Sequence, residues 1–441
     1  MGEISERGSV RRLHDRLGFG VGPGDAEVGY EAAVRRLLGP VVEAGATPPP
    51  ALTAPAPIDK PAKGEKRDKE ARRAANKARV AQEAKVTGWW LDRMVASGGA
   101  VSGPTGAATE RLTWFWHGHF ATSEQKVRSP QLMLAQNQTF RKYARGSFTD
   151  LAHALIVDAA MIRWLDGNDN REGSPNENLA REFLELFTLG IGHYAEVDVF
   201  EGARALTGWT IRRTSTEARF VPRRHDSGSK TMLGKTGDFD AKGFVDLALA
   251  KPESAPFVIG RLWFRLVSAT PPPAATLDRL VAAYGTRRDL GAVLKAITAE
   301  PAFRDSTSTL VKQPVEWAVG LMRALGVRPA KLDDKTRMKA LAGLRGMGQL
   351  PLRPPSVGGW PSGGSWLTTS AGVARLQLAL LLARNAELGQ LQKSSARVDG
   401  VRALLGVEQW SARTRDALAG VTEPVQLVAV AACAPEYVVS G

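Results

Sequence analysis

The histidine pair in the segment Phe115 to Ala121, FWHGHFA, has the residue type of a metal ligand set. His117 and His119 are two positions apart, which places their side chains about 200° apart on a continuous helix. They can bind the same metal ion only if the helix ends there, and Gly118 favours such an end. Histidines in a last helical turn also interact with free carbonyl groups and with the helix dipole. The pair alone therefore leaves a metal-binding and a structural interpretation open.

A group of charged residues follows in the segment Ser174 to Trp209. Apolar residues recur there with helical spacing, and the other side of the predicted helix carries Glu177, Arg181, Glu182 and Glu185. We predict that these four residues are catalytic, with a glutamate as general acid or base and the arginine binding substrate. The structural alternative is a solvated face with an ordinary ion pair between positions 177 and 181. The Glu-x-x-His spacing of di-iron helical bundles is missing, so we do not predict that site.

A third candidate lies in a stretch of short β-like segments. We predict His225 as a metal ligand and Asp226 as a catalytic acid or base, and a structural turn is the equal alternative. The preceding Arg223 and Arg224 suit an anionic group such as phosphate, sulfate or carboxylate. The chain has no Walker A loop, dinucleotide fingerprint, G-x-S-x-G elbow or HExxH motif, so none of these motifs indicates a reaction.

The loop from Leu350 to Trp366 is rich in proline and glycine and contains two tryptophans, Trp360 and Trp366. Exposed tryptophans on a rigid loop would suit stacking on a sugar, whereas buried ones would anchor the loop. Because the chain has 11 tryptophans, we predict anchoring.

Helical spacing of apolar residues accounts for most of the chain. We predict a mainly α fold, with one large multi-helical domain and a small β-hairpin insertion near residues 210–233. The predicted organisation has an N-terminal helical segment at 1–42, then a proline- and alanine-rich linker with a charged helix at 43–85. The main helical domain follows at 86–441.

The 441 residues have a formal net charge of +14, and about a third of the excess lies between Asp59 and Lys85, interleaved with acids. We therefore predict a solvated charged helix there and no specific nucleic-acid binding. Cys433 is the only cysteine, which excludes an internal disulfide and a cysteine metal cluster. There is no apolar run long enough for a membrane span and no signal peptide, so we predict a cytoplasmic protein.

Several strings along the chain carry a family resemblance: Arg16 with Gly18-Phe19-Gly20, FWHGHFA at 115–121, Trp164-Leu165-Asp166, PNENLAREFLELFTLG at 175–190, ALTGW at 205–209, His225-Asp226 with Lys230, RLWFRLVS at 261–268 and RPPSVGGWP at 353–361. In this order they resemble the bacterial family named domain of unknown function 1800. The activity of that family is not established, so the resemblance implies a fold and a set of positions. Its members are often exported, and their genes often lie beside a sulfatase-like family, which implies a protein partner.

Two hypotheses of function follow. The first is a metal-dependent enzyme, hydrolytic or oxidative, with a divalent metal ion where His117 and His119 meet the acids of the predicted helix, and with His225 as a further ligand. Such a metal ion would polarise a substrate oxygen or activate water. The alternative is a non-catalytic helical scaffold or binding module that works with a partner protein. In that case the polar residues form a hydrogen-bonded network that fixes the helix positions.

Overall fold

Helices make up most of the structure, a computed structural model that describes residues 4–22, 25, 28–40, 47–53, 69–97, 106–212, 215–392 and 396–440. They form one multi-helical domain, as the sequence predicts. None of the helices in these ranges has the length and hydropathy that crossing a bilayer requires. The α-helices are α1 Glu6–Leu17, α2 Tyr30–Leu38, α3 Lys69–Ala96, α4 Ala107–His119, α5 Glu124–Val127, α6 Pro130–Tyr143, α7 Phe148–Ile156, α8 Ala159–Trp164, α9 Asn178–Glu182, α10 Glu196–Ala205, α11 Ala241–Ala250, α12 Ser254–Leu266, α13 Ala274–Tyr284, α14 Leu290–Ala299, α15 Pro314–Ala324, α16 Asp334–Gly346, α17 Thr369–Ala383, α18 Gly389–Gln392, α19 Arg397–Leu404, α20 Ala412–Ala419, α21 Pro424–Cys433 and α22 Pro435–Val438.

Shorter helical turns connect several of these helices. A π-helical turn continues α9. It has more residues per turn than an α-helix and so differs from the regular α-helix that the apolar spacing predicts. The π turn spans Phe183–Thr188, and the 3-10 turns span Gly167–Asp169, Pro222–Arg224, Pro301–Phe303, Pro329–Lys331 and Gly363–Trp366.

The strands form two-stranded antiparallel pairs. The predicted β insertion is confirmed and consists of two ribbons, which pair β1 Trp209–Ile211 with β2 Ala218–Phe220 and β3 Lys230–Met232 with β4 Lys235–Gly237. A third pair joins β5 Leu310–Val311 to β6 Val439–Ser440. This third pair was not predicted, because two-residue strands are too short to show an alternating pattern.

Helix α4 lies between two hydrophobic cores, and every one of its residues except Gly118 is buried. Leu112, Phe115 and Trp116 pack into the first core, with residues of α1, α2, α7 and α9 to α14. Trp114 packs into the second core, with residues of α3, α15 to α17 and α21. Since α4 also carries charged side chains, each of these must find its partner inside the protein.

Glu110 shows how this requirement is met. Its carboxylate accepts hydrogen bonds from Arg93 of α3, from Arg141 of α6 and from the indole of Trp90. Burial would raise the pKa of Glu110, but the guanidinium groups of Arg141 and Arg93 lower it below the usual range. One carboxylate thus joins three helices.

The N-terminal helix is tied to distant parts of the chain by Arg16. This buried guanidinium donates hydrogen bonds to the carbonyl groups of Leu266, Val267, Ser308 and Ser440 at 2.6 to 3.2 Å, and also to the Ser440 hydroxyl. Helix α1 therefore packs on the body of the domain. The division of the chain at residues 42 and 85 stays a prediction, and much of the predicted 43–61 linker lies outside the described residues.

We predict that Arg16→Met lowers the free energy of unfolding by about 3 to 5 kcal/mol, because it leaves buried carbonyl groups without donors. Urea unfolding followed by circular dichroism measures the change. The control is Arg7→Met on the exposed side of the same helix, which should change stability by no more than about 0.5 kcal/mol. Equal unfolding midpoints for the two variants would contradict the role of Arg16.

Candidate functional site

His117 belongs to the second core and is surrounded by aromatic rings. The centroids of Trp90 and Trp360 lie 5.3 Å from its ring. Its Nε2 accepts a hydrogen bond of 3.1 Å from the backbone N–H of Leu352. Burial lowers the pKa of His117 to about 3, so the ring is neutral at pH 7. These contacts fit a histidine that anchors the 350–366 loop to α4.

His119 points to the opposite side, as the 200° spacing of the pair predicts. It packs among phenylalanine rings, including Phe115 and Phe257, and its Nε2 lies 3.0 Å from the carbonyl oxygen of Phe187 in the π turn. Burial, reinforced by the positive charge of Arg261, lowers the pKa of His119 to about 3. Its Nδ1 is buried and has no hydrogen-bond partner within the described part of the chain.

Two of the three glutamates predicted to be catalytic, Glu177 and Glu185, are engaged in local pairs. Arg181 donates to Glu177 at 3.0 Å and to Glu196 at 2.7 and 2.8 Å. The contact with Glu177 is the i,i+4 ion pair that the structural alternative predicts. Glu185 accepts a hydrogen bond of 2.6 Å from the hydroxyl of Tyr194. Burial and then the Glu185 carboxylate raise the pKa of Glu182.

His225 and Asp226 follow the first ribbon and contact the end of α10. His225 Nδ1 lies 3.0 Å from the carbonyl oxygen of Thr207 and therefore carries the proton. Asp226 receives two hydrogen bonds from Arg204, at 2.7 and 3.0 Å, and these bonds lower its pKa. The pair thus fixes the ribbon to α10.

The predicted metal centre is not assembled in the described ranges, where no three His, Cys, Asp or Glu side chains are grouped so that they could hold a metal ion. Helix geometry sends His117 and His119 into different cores, and His225 is held at Thr207. This corrects the expectation that the three histidines meet the acids at one site. The catalytic roles assigned to Glu177, Arg181, Glu182, Glu185 and Asp226 and the metal-binding roles of the individual histidines stay predictions.

Two adjoining cavities beside α4 form a cleft that we call the arginine cleft. The cavity volume is about 70 Å³ on the side lined by Lys312 and about 20 Å³ on the side lined by His119. Cationic side chains outnumber carboxylates in this lining by five to two. They are Arg16, Arg111, Arg261, Arg265 and Lys312, against Asp15 and Glu316.

Both carboxylates of the arginine cleft are already paired. Asp15 lies 2.9 Å from Lys312, and Glu316 forms an ion pair with Arg111. Arg16 is bonded to carbonyl groups and Ser440. The other two arginines, Arg261 and Arg265, are four residues apart on α12 and face the same side. Neither forms an ion pair with a carboxylate of the described residues.

The charges of these two arginines are partly desolvated and repel each other. Burial lowers the pKa of Arg261. Burial and the neighbouring Arg261 charge lower the pKa of Arg265 to about 10, so both groups remain charged at pH 7. The Glu316 carboxylate offsets part of this effect on Arg265, but neither arginine forms a direct ion pair with it, and an anion would stabilise such a half-buried pair of like charges.

Gly359 brings its loop onto α4 beside the arginine cleft. Its φ of +82° lies in the left-handed region that favours glycine, and a Cβ there would lie 2.2 Å from the carbonyl oxygen of Gly118. On the other side of the loop, Arg265 Nη2 donates to the carbonyl of Trp360 at 3.0 Å. Trp360 and Trp366 are buried, which confirms that they anchor the loop.

A family model described as protein of unknown function (DUF1800) matches residues 12–439. The chain belongs to this family. No curated protein and no solved structure matches the chain. The function of this DUF1800 protein must therefore be inferred from the geometry of its own side chains.

Arg111, Arg261 and Arg265 of this DUF1800 chain were not predicted as functional residues from the sequence. A signal was present, because the last two lie in one of the strings that carry the family resemblance and have i,i+4 spacing. The structure brings together residues from four of those strings in the arginine cleft. They are Arg16, His119, the two arginines of α12 and Trp360.

We predict that the stability of the protein falls as the pH drops below about 6.5, partly because of His117. The unfolded ring has a pKa of about 6.5, whereas the folded ring has a pKa of about 3. Between these values the unfolded state binds more protons, which costs about 1.4 kcal/mol of stability per pH unit. Above pH 6.5 the ring is neutral in both states and contributes no pH dependence.

His117→Gln keeps an acceptor for Leu352 but removes this titration. Between pH 6.5 and pH 5 the variant should therefore lose about 2 kcal/mol less stability than the unmutated protein. Urea unfolding at several pH values measures the difference. His193→Gln, at an exposed position, is the matched control. If the slopes of all three proteins coincide, His117 is not a buried neutral histidine.

Proposed function

We propose that this protein binds a small anionic ligand in the arginine cleft, which is a specific form of the binding-module hypothesis. The observation that supports it is the partly buried pair Arg261 and Arg265, for which the described residues provide no paired carboxylate. Keeping two such charges partly buried lowers stability unless an opposite charge joins them. An anion between the two guanidinium groups would supply that charge and accept their hydrogen bonds.

The size of the cleft limits the ligand. A cavity needs about 10 to 15 Å³ to hold one water molecule, so the His119 side admits an atom or two and the Lys312 side a group of a few atoms. This fits phosphate, sulfate or a carboxylate, either free or at the end of a larger molecule. A folded partner or a nucleic-acid strand does not fit inside.

The metal-dependent enzyme predicted from the sequence is the second candidate. One observation favours it, since His119 donates Nε2–H to the Phe187 carbonyl and keeps Nδ1 without a partner. Metal-binding histidines usually have such an outer hydrogen bond. A full ligand set is missing, because His119 belongs to no group of three or more His, Cys, Asp or Glu side chains that could hold a metal ion among the described residues.

The arginine cleft does not change the hypotheses about a protein partner, nucleic-acid binding and cellular location. A protein partner encoded by a neighbouring gene, the absence of specific nucleic-acid binding and a cytoplasmic location stay predictions from the sequence and the family resemblance. The arginine cleft is compatible with each of them, because a small anion can be bound by a protein that works alone or in a complex.

We predict that Arg261→Gln weakens binding of inorganic phosphate or acetate at least tenfold, since it removes an unpaired guanidinium group from the arginine cleft. The same variant should be as stable as the unmutated protein or more so without ligand, because the repulsion with Arg265 disappears. Isothermal titration in a low-salt buffer measures binding, and thermal unfolding measures stability.

Arg413→Gln is the matched control for this experiment, because it makes the same charge change at an exposed position of α20. It should bind the probe anions as the unmutated protein does. Equal affinities of the Arg261 and Arg413 variants, or no binding of phosphate, sulfate, acetate or glycolate by the unmutated protein, would reject the proposed site.

The metal-dependent candidate makes a separate prediction. Purified protein should contain a divalent metal ion at about one equivalent, and added Zn²⁺, Mn²⁺, Fe²⁺ or Cu²⁺ should raise its melting temperature. His119→Phe should abolish both effects, whereas His193→Gln should abolish neither. Metal-free protein whose melting temperature is unchanged by all four ions would eliminate this candidate.

A further inference from the structure

The first ribbon of the β insertion has two unlike faces. Side chains alternate between the two faces of a strand, so Trp209, Ile211 and Ala218 lie on one face, and these three pack against the hydrophobic cores. The other face carries Thr210 and Arg219, which are directly opposite each other in the two strands. One face therefore attaches the ribbon to the body of the protein, and the other is polar, with Arg219 exposed.

Four arginines line one cavity at this polar face, which we call the ribbon pocket. Its volume is about 630 Å³, and its described lining contains no carboxylate. Arg212 follows β1 and lies diagonally across from Arg219 of β2. The 3-10 turn after β2 adds Arg223 and Arg224, which the sequence predicts to suit an anion. The ribbon pocket shares no lining residue with the arginine cleft.

The charges of the ribbon pocket are not neutralised within the described part of the chain. Arg212, Arg219 and Arg223 are exposed, and their side chains form no ion pair or hydrogen bond with the described residues. Arg224 is half-buried, and its Nη2 donates to the carbonyl oxygen of Asn168 at 2.9 Å, which holds this guanidinium group in place. Four like charges around one cavity repel each other, and a bound anion would remove that repulsion.

The exposure of the ribbon pocket determines how many charges its ligand needs. A single ion pair at an exposed position contributes little to binding, because water and salt screen it. Affinity therefore requires several ion pairs formed by the same ligand. The volume of the pocket is in the range of about 300 to 1,000 Å³ that small-molecule sites occupy, so there is room for several linked anionic groups.

The lining of the ribbon pocket favours phosphoryl groups over other anions. Guanidinium groups bind phosphate oxygens with two parallel hydrogen bonds. Linked phosphoryl groups also place their charges closer together than a peptide strand does, whose side chains on one face are roughly 7 Å apart. The apolar residues of the described lining are Val221 and Pro222, which offer a nucleic-acid base no aromatic ring to stack on.

We propose that the ribbon pocket binds a linear chain of phosphoryl groups, such as inorganic tripolyphosphate or the triphosphate tail of a nucleotide. Arg224, held by Asn168, provides a fixed contact, and Arg212, Arg219 and Arg223 bind the remaining phosphoryl groups. This site is independent of the arginine cleft, so either proposal can be wrong without affecting the other.

Isothermal titration of the full-length protein with inorganic tripolyphosphate, at pH 7 and low salt, tests the proposal. We expect tripolyphosphate to bind at least tenfold more tightly than orthophosphate, because it contacts several arginines at once. The double variant Arg212→Gln/Arg219→Gln should weaken binding of tripolyphosphate at least tenfold. Thermal unfolding should show that this variant is folded, because both side chains are exposed.

Arg413→Gln/Arg415→Gln is the matched control, because it removes two positive charges from exposed positions of α20. This control should bind tripolyphosphate nearly as tightly as the unmutated protein does, and so should Arg261→Gln, which changes the arginine cleft alone. Equal affinities of the two double variants would show that only the net charge attracts the ligand, and they would reject the ribbon pocket. A tenfold loss in Arg261→Gln would assign the ligand to the arginine cleft and would also reject the ribbon pocket.

Further ligands identify the source of the phosphoryl chain and test its chemical class. Adenosine triphosphate that binds as tightly as tripolyphosphate supports a nucleotide tail, and much weaker binding supports a free phosphate chain. An acetylated tetraglutamate amide and a short oligothymidine carry their charges at a wider spacing. If orthophosphate or either of these binds as tightly as tripolyphosphate, the inference is wrong, and the last two results would indicate a protein segment or a nucleic acid as the ligand.

Discussion

The complete burial of α4 is the constraint on which the other elements depend. Glu110 and Arg111 would be very costly inside a hydrophobic core without partners. Their partners come from α3, α6 and α15, so those helices must lie where the charges can be met. The neutral histidines at the end of α4 extend this network to the π turn and to the 350–366 loop. The fold is therefore specified by polar contacts as well as by its apolar cores.

The arginine cleft departs from that rule. The buried charges of α4 itself, Glu110 and Arg111, are matched by opposite charges, whereas the two arginines of α12 repel each other at a partly buried surface. Natural proteins keep residues that lower the stability of the fold where a bound ligand offsets the loss. Such destabilising residues are therefore expected at functional sites. The location of this cleft, among strings that carry the family resemblance, agrees with that view.

The sequence was sufficient to predict the helical fold and the position of the β insertion, because apolar spacing and turn residues determine structure within a few neighbouring positions. The prediction that His117 and His119 share a metal site required the helix to end near Gly118, whereas α4 continues to His119 and separates the two rings. The sequence could not predict the π turn, whose Phe187 carbonyl is used by a residue 68 positions away. Nor could the sequence show that Arg261 forms no ion pair with a carboxylate of the described residues. The i,i+4 spacing of two arginines predicts a shared helix face, but it does not tell whether a carboxylate from elsewhere in the chain contacts them.

The contact between Arg16 and Ser440 has a consequence for how the protein is made. It joins residues 424 positions apart, and both residues line the Lys312 side of the arginine cleft. On the ribosome, the N-terminal helix is synthesised long before its partner strand exists. Contacts of such long sequence separation form late. We therefore expect the Arg16 guanidinium group to reach its full set of hydrogen bonds only after Ser440 has been synthesised.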